Sequence, residues 1–217
     1  MKVMAICGSP RGQRSQTRAM AEALLSEAKA KGADIEFVDL GKVRIGFCQA
    51  CEVCHQGPDC VLNDEARGIL KRMLEADGIV LASPVYLDHV TAQMKALLDR
   101  SSHFIHCLRL MGKYIAAVTT SGGGSADATA AFLRKYAVTV GSQFVGGVHA
   151  AMPLREPDLE AARKLGASLV EAVAGRKTWP EQVQAIEQQR KHFARIIAFH
   201  KNQWPYEHTY WQDKGWL

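Results

Sequence analysis

The sequence predicts an α/β protein built on a doubly wound, five-stranded parallel sheet. Three observations predict it. Five short apolar runs alternate with segments of helical periodicity over the first 175 residues. Most strand-to-helix junctions carry glycine, serine, threonine or proline, residues that turn a chain sharply. The resulting βαβαβαβαβα order calls for crossover connections, which set neighbouring strands parallel with helices on both faces.

The elements follow in order. Lys2–Cys7 is the first strand, and Gly8–Arg14 is the loop after it. Ser15–Lys31 places Ala19, Ala23, Leu24 and Ala28 on one helical face. Ile35–Leu40 is the second strand and runs into a cysteine-rich loop. Asp64–Glu75 is a helix with Asp64 as its N-cap. Gly78–Ala82 is a fully apolar third strand that breaks at Ser83-Pro84. Thr91–Ser101 is a helix, and Tyr114–Thr119 is a strand stopped by Gly122-Gly123-Gly124. Ala126–Val138 is a helix, Phe144–His149 the fifth strand and Asp158–Val173 a helix. Beyond Gly175 the character changes. Pro180–His200 is a long polar helix, followed by an extended terminus with Trp204, Tyr206, Tyr210, Trp211 and Trp216. Aromatic rings of that size are costly to leave in water. The tail is therefore expected to dock, on its own domain or on a neighbouring subunit near an active site. The division expected is 1–175 for the α/β domain and 176–217 for the C-terminal helix and tail.

With 47% hydrophobic and 23% charged residues, the chain reads as an ordinary soluble globular protein. No apolar run approaches the roughly 20 residues of a membrane span. The net charge of +5 is spread over expected helices, and no aromatic and basic residues interleave as in a single-strand-binding platform. Neither a membrane nor a nucleic acid is expected as partner. The N-terminus runs straight into a glycine turn and reads as a buried strand, not a signal peptide. A cytoplasmic location is expected, where clustered thiols stay reduced and more often bind metal than pair.

The first strand–helix loop, Gly8-Ser9-Pro10-Arg11-Gly12-Gln13-Arg14-Ser15-Gln16-Thr17, suits an anion. Ser9, Ser15 and Thr17 offer hydroxyls, Arg11 offers charge with Arg14 and Arg18 nearby, and the helix start offers unpaired N–H groups. It is not G-x-G-x-x-G and lacks a Gly-Lys-Ser/Thr ending, which disfavours a Rossmann dinucleotide site and a P-loop. A terminal phosphate monoester fits. Two further loops should open on the same sheet edge: Ser83-Pro84-Val85-Tyr86, and Thr119-Thr120-Ser121-Gly122-Gly123-Gly124. Pro84 stiffens its turn, Tyr86 presents a flat ring, and the glycines let backbone N–H groups approach a planar ligand. Together the three loops point to FMN.

Four of the six cysteines fall in thirteen residues, Cys48, Cys51, Cys54 and Cys60, spaced C-x2-C-x2-C-x5-C. Structural zinc usually draws two separated pairs. A compact triple with a nearby fourth looks more like an iron–sulfur ligand set, although the last spacing is longer than in bacterial ferredoxins and no proline follows Cys60. A [4Fe-4S] cluster, zinc and a metal-free loop all stay open on spacing alone.

The chain resembles the NAD(P)H-dependent FMN reductase-like branch of the flavodoxin-like proteins, and within it the iron–sulfur flavoproteins. The match rests on Gly8-Ser9-Pro10-Arg11 with Ser15 and Thr17, the cysteine run, Ala76-Asp77-Gly78-Ile79, Ser83-Pro84-Val85-Tyr86, Met94-Lys95-Ala96-Leu97-Leu98-Asp99-Arg100, and the terminal Tyr210-Trp211…Trp216-Leu217. The resemblance implies a flavodoxin-like fold with strand order 2-1-3-4-5 and bound FMN. Ser9, Arg11, Ser15, Gln16 and Thr17 would hold the phosphate. Pro84, Val85 and Tyr86 with Thr120, Ser121, Gly122 and Gly123 would line the isoalloxazine. Gln16 departs from the asparagine more common in the group. A homodimer or homotetramer is implied, with the helix ending Leu98-Asp99-Arg100 at an interface.

The expected activity is an FMN-dependent oxidoreductase. It would take a hydride from NAD(P)H, or electrons from a ferredoxin-like donor. It would pass them to a quinone, free flavin or redox protein, directly or through a [4Fe-4S] cluster on the cysteine loop. The competing class is an electron carrier with no turnover of its own; another is a binding module with a zinc-stapled loop. Cys7 is expected to be an inert core thiol. His103, His106 and Cys107 lack a fourth ligand in register and read as a helix end or interface. No carboxylate pair or Ser/His/Asp set stands out, and flavin chemistry needs neither.

Overall fold

The computed structural model describes residues 1–217. Its elements, in chain order, are β1 (Lys2–Cys7), α1 (Gln16–Ala30), β2 (Asp34–Asp39), α2 (Glu65–Glu75), β3 (Gly78–Pro84), α3 (Ala92–Arg100), α4 (His103–His106), β4 (Tyr114–Ser121), α5 (Asp127–Thr139), β5 (Gln143–Ala151), α6 (Glu156–Ala174), α7 (Pro180–Phe199) and α8 (Pro205–Asp213). The five strands form one parallel sheet in the order β2-β1-β3-β4-β5, the doubly wound arrangement the sequence predicts. The order reverses at β1, so its carboxyl end beside β3 is the switch point where ligands bind in such sheets.

The sheet is buried on both faces, which explains why the central strands are apolar throughout rather than alternating. One face packs Met4, Ile6, Ile79, Leu81 and Ile115 against α2, α3 and α5. The other packs Val3, Ala5, Val80, Ala116 and Val118 against α1 and α6. β3 continues through Ser83-Pro84, where a break was expected, because Pro84 pairs with Thr120 at the strand's last rung. A proline is tolerated at such an end, where its missing N–H takes few ladder bonds away.

Two elements differ from the expectation. The segment after α3 closes one further helical turn, α4. The aromatic tail is not extended: Pro205 opens the nine-residue helix α8. A proline at the first helical position is preorganised for that start. The tail docks on its own chain. Trp211 is fully buried with Cys107 and Ile197, flanked by Phe193, Trp204, Tyr210 and Trp216, and its indole N–H donates to His106 O at 3.1 Å. α7 covers the edge of β5. The Gln182 side chain accepts from Phe144 N–H (2.7 Å) and donates to Phe144 O (3.0 Å), so it occupies the groups a neighbouring strand would use. No helix is long and apolar enough to cross a membrane.

Candidate functional site

Three loops meet at the carboxyl edge of β1, β3 and β4. The first begins at Gly8, which must be glycine: a Cβ there would lie 2.8 Å from both Met94 Cβ and Thr91 Oγ1. That contact brings α3 close enough for Thr91 Oγ1 to donate to Gly8 O at 2.6 Å. The chain then makes a short 3-10 turn, Gly12–Arg14, with Gly12 at a positive φ of 54°. Ser15 caps α1, its hydroxyl accepting from Arg18 N–H at 3.1 Å. Ser9, Ser15 and Thr17 are buried beside the start of α1, while Arg11 and Arg14 are exposed. The expected phosphate hydroxyls thus sit at the positive end of a helix; Arg11 and Arg14 are exposed in the preceding turn, while Arg18 is paired with Glu22 and Asp39. Gln16 takes a structural role. Its Oε1 accepts from Leu154 N–H at 2.7 Å, which ties α1 to the loop after β5 and leaves only its amide N–H2 for a ligand.

The loops are braced to one another. Thr17 and Thr120 share a buried hydrogen bond of 2.6 Å between their hydroxyls. Val85 N–H donates to Thr120 O at 2.8 Å, which joins the second loop to the third. Ser121 Oγ donates to Gly124 O (2.7 Å), accepts from Gly123 N–H (3.3 Å) and lies 3.3 Å from His149 Nε2. His149 Nδ1 is 3.2 Å from Thr119 Oγ1, so the β5 imidazole props the glycine turn from beneath. Gly122, Gly123 and Gly124 are exposed, and a Cβ at any of them would meet nothing within 4 Å. Their open backbone is the cradle that a flat ligand edge requires. Tyr86 is exposed beside Leu87 and Asp88, which hold left-handed φ values of 49° and 58° in a tight turn closed by Tyr86 and His89. Buried hydroxyls, a helix start, exposed arginines and bare glycine backbone together fit FMN.

The cysteine loop leaves the same edge, where Leu40 N–H donates to Cys7 O at 2.9 Å. Its thiols, however, lie elsewhere. Cys48, Cys51, Cys54 and Cys60 line one cavity of about 290 Å³, walled by Arg100, Ser102, His103 and His106 at the far end of α3. No residue of the three flavin-type loops lines it. Within one subunit the cysteine cavity and the flavin-type loops therefore share no lining residue. The four thiols nonetheless share one cavity, and the chain curls to bring them there. Ala50 and Glu52, each between two cysteines, adopt left-handed φ values of 51° and 60°, a backbone that costs about 1 kcal/mol or more per non-glycine residue. Arg100 anchors the base. Its side chain is 0% exposed, and its Nη1 donates to Asp64 (2.5 Å) and to Gly46 O (2.9 Å). Asp64 also caps α2, accepting from Ala66 N–H at 3.1 Å. Burial raises the Asp64 pKa, but Arg100 and the Gly46 N–H outweigh it and leave the carboxyl below its usual range. Arg100, at the end of α3, is thus engaged within its own chain.

Burial, and then the charge of nearby Glu207, push the Cys54 thiol up to about 11. Cys7 is also pushed up to about 11 by burial and fits an inert core thiol. Burial drives His103 down to about 4, so that imidazole is neutral.

Beside the cavity lies a group the sequence did not reveal. Glu207 of α8 is 0% exposed, and its carboxylate meets His55 Nδ1 at 2.8 Å and His106 Nδ1 at 3.1 Å. Burial raises its pKa, but the two imidazole hydrogen bonds outweigh this and hold it below the usual carboxylate range. His106 had no visible partner in the sequence because Glu207 is 101 residues further on. The available signal was Pro205 as a helix start, which puts Glu207 and Trp211 one turn apart on a face of otherwise aromatic residues.

Comparison with known proteins agrees with this geometry. The family described as NADPH-dependent FMN reductase matches residues 1–156. An iron-sulfur flavoprotein of Archaeoglobus fulgidus is 28% identical over the full length of both chains. An iron-sulfur flavoprotein of Methanocaldococcus jannaschii is 39% identical over 131 residues, 59% of this chain and 67% of that one. The flavodoxin, WrbA-like protein of Agrobacterium tumefaciens shares the fold with a TM-score of 0.60 at 20% identity, over 81% of this chain and 99% of that one.

Proposed function

The chain belongs to the NADPH-dependent FMN reductase family, and from that premise we propose that it oxidises a reduced nicotinamide cofactor on FMN and relays electrons through a [4Fe-4S] cluster on the cysteine loop. It is a flavin-dependent oxidoreductase of flavodoxin-like fold. The observation that carries the proposal is the bracing of three loops at the switch point by the Thr17–Thr120 and Val85–Thr120 hydrogen bonds. Such bracing holds a phosphate pocket and a ring cradle at fixed separation before any ligand arrives.

FMN, when bound, supplies a ring that accepts one hydride and releases its two electrons singly. The chain's residues supply position and charge. Ser9, Ser15, Thr17 and the start of α1 would donate to the phosphate oxygens, and Arg11 would neutralise them. Pro84, Val85 and Tyr86 would bound one edge of the ring. Thr120, Ser121, Gly122 and Gly123 would line its other edge, with the Gly122 N–H left to stabilise negative charge developing on it, since the Ser121 hydroxyl and the Gly123 N–H are spent within the turn. Cys48, Cys51, Cys54 and Cys60 would ligate the cluster, with Arg100 as a buried countercharge at the base. Because no residue of the flavin loops lines the thiol cavity of its own chain, relay would run across an interface between copies. That accords with the dimer or tetramer the resemblance implies.

Protein purified without oxygen is expected to show flavin absorbance and about four irons per chain, and to oxidise NADH or NADPH with a quinone or free flavin as acceptor. Arg11→Ala removes a charge-assisted contact, and FMN affinity is expected to fall about 10- to 100-fold by equilibrium titration. Undiminished affinity would remove Arg11 from the phosphate site. The exposure of Cys48 and Cys51 favours a second reading, an electron carrier fed by a ferredoxin-type protein. Reduction by a low-potential ferredoxin with no nicotinamide oxidation would decide for it. Iron-free protein with stoichiometric zinc would overturn both.

A further inference from the structure

The C-terminal helix reaches the thiol cavity through two imidazoles. Cys54 and His55 are consecutive, in a 3-10 turn, Val53–His55, closed by His55 N–H donating to Glu52 O at 3.0 Å. His106 ends α4. Both rings line the cavity, and Glu207, which does not, holds both from behind. A carboxylate only accepts, so each Nδ1 carries its proton and donates. The two rings are stacked, with centroids 5.0 Å apart and planes 9° apart, and Trp204 stacks on His55 at 4.4 Å and on His106 at 5.0 Å. Trp204 stacks in turn on His200, at 4.4 Å.

This triad is not itself a metal site. Imidazole lone pairs lie in the ring plane, and the in-plane lone pairs of two nearly parallel rings do not converge on one ion. The arrangement instead matches a carboxylate that orients histidines beside a metal centre, a device whose loss typically weakens metal binding. Its burial is also informative. A lone carboxylate costs several kcal/mol to bury, and Glu207 is buried only because both histidines come to it.

We propose that Glu207 is a positioning residue for the cysteine site: by clamping His55 to His106 it fixes the turn that carries Cys54, so the C-terminal helix locks the thiol cavity in its metal-holding shape. The inference rests on the reading of Cys48, Cys51, Cys54 and Cys60 as cluster ligands. A broken clamp would free the Val53–His55 turn, swing Cys54 outward and open one wall of the cavity to water. Neither the flavin loops nor the sheet would change, because Glu207 touches none of them.

The test uses the full chain, purified without oxygen, as wild type, Glu207→Gln and Glu207→Asp. The neutral amide keeps the volume but cannot accept from two ring N–H groups as a carboxylate does. The aspartate keeps the charge with a shorter reach. In metal-free protein, alkylation of each cysteine by iodoacetamide is followed by mass spectrometry. In reconstituted protein, iron release to a chelator and the electron paramagnetic resonance spectrum of the reduced cluster are followed, with bound flavin as the control. Glu207→Gln is expected to alkylate Cys54 faster while Cys48 is unchanged, to release iron about 10- to 100-fold faster, and to shift the resonance line shape, all with flavin content intact. Glu207→Asp should recover part of each effect. Equal Cys54 alkylation in wild type and Glu207→Gln would overturn the proposal. Wild type that takes up no iron, yet shields Cys54 only when Glu207 is present, would uphold the clamp and overturn the cluster reading.

Discussion

At the scale of residues, the loops depend on a few buried polar contacts. Thr17 and Thr120 come from different loops, both are about 1% to 2% exposed, and each satisfies the other. Thr17→Val keeps the shape but strands the Thr120 hydroxyl. The expected loss is about 1–3 kcal/mol of stability, read as a lowered Tm of flavin-free protein. Flavin affinity should fall with it, because the brace between the proposed phosphate pocket and the proposed ring cradle is gone. Arg100 and Asp64 make the second case. Arg100→Met leaves Asp64 without its main partner and the base of the cysteine loop without its anchor, an expected loss of about 3 kcal/mol in chemical denaturation. The pH dependence has a definite sign. The Asp64 pKa is lower folded than unfolded, so the pair's contribution is fully present above the ordinary carboxylate range and is lost as pH falls through the folded value. Arg100→Met should therefore flatten the acid limb of the stability profile. The sequence exposed the hydroxyls and charges of the phosphate loop because they are contiguous. It did not show that Gln16 is spent on Leu154 N–H or that Arg100 is paired, since those partners lie 138 and 36 residues away.

At the scale of elements, strands and helices were readable wherever period and caps agreed. Asp64, Ser15 and Thr91 each cap the helix they precede, through N–H contacts of 3.1, 3.1 and 3.3 Å. α4 was not readable, because four residues carry no period. α8 was missed because its aromatic content hid a proline start and an acidic first turn. One packing contact is invisible to periodicity altogether. Gly166 in α6 lies against α1 so closely that a Cβ would come within 2.3 Å of Leu24 O. The obstacle is backbone, so no rotamer change relieves it. Gly166→Ala should push α1 and α6 apart and cost about 1–3 kcal/mol, despite the higher helix propensity of alanine. A shifted denaturation midpoint measures this. Because the start of α1 also carries the proposed phosphate site, FMN affinity should fall in the same variant; unchanged affinity would show that the displacement stays local.

At the scale of the whole molecule, two large apolar layers hold the sheet, and a small third cluster around Trp211 holds the tail. The topology was legible because a parallel sheet buried on both faces writes itself as continuous apolar runs. The joining of the tail to the cysteine loop was not, because 152 residues separate His55 from Glu207 and neither end carries half of a recognisable motif. The unequal layers have a consequence for stability. The central strands β1, β3 and β4 are closed between two cores, whereas α8 is held by one small apolar cluster, the Trp211–His106 bond and the Glu207 clamp. Local opening free energy scales with buried apolar contact, so α8 should open well before the sheet. In native-state hydrogen exchange, its amides are expected to exchange through a partial unfolding that leaves β1, β3 and β4 protected. Cys54 should become alkylatable with the same denaturant dependence, since opening α8 removes the carboxylate that holds the Val53–His55 turn. Exchange of α8 in step with β4 would mean instead that the tail and the sheet form one cooperative unit, and the cysteine wall would then be as stable as the core itself.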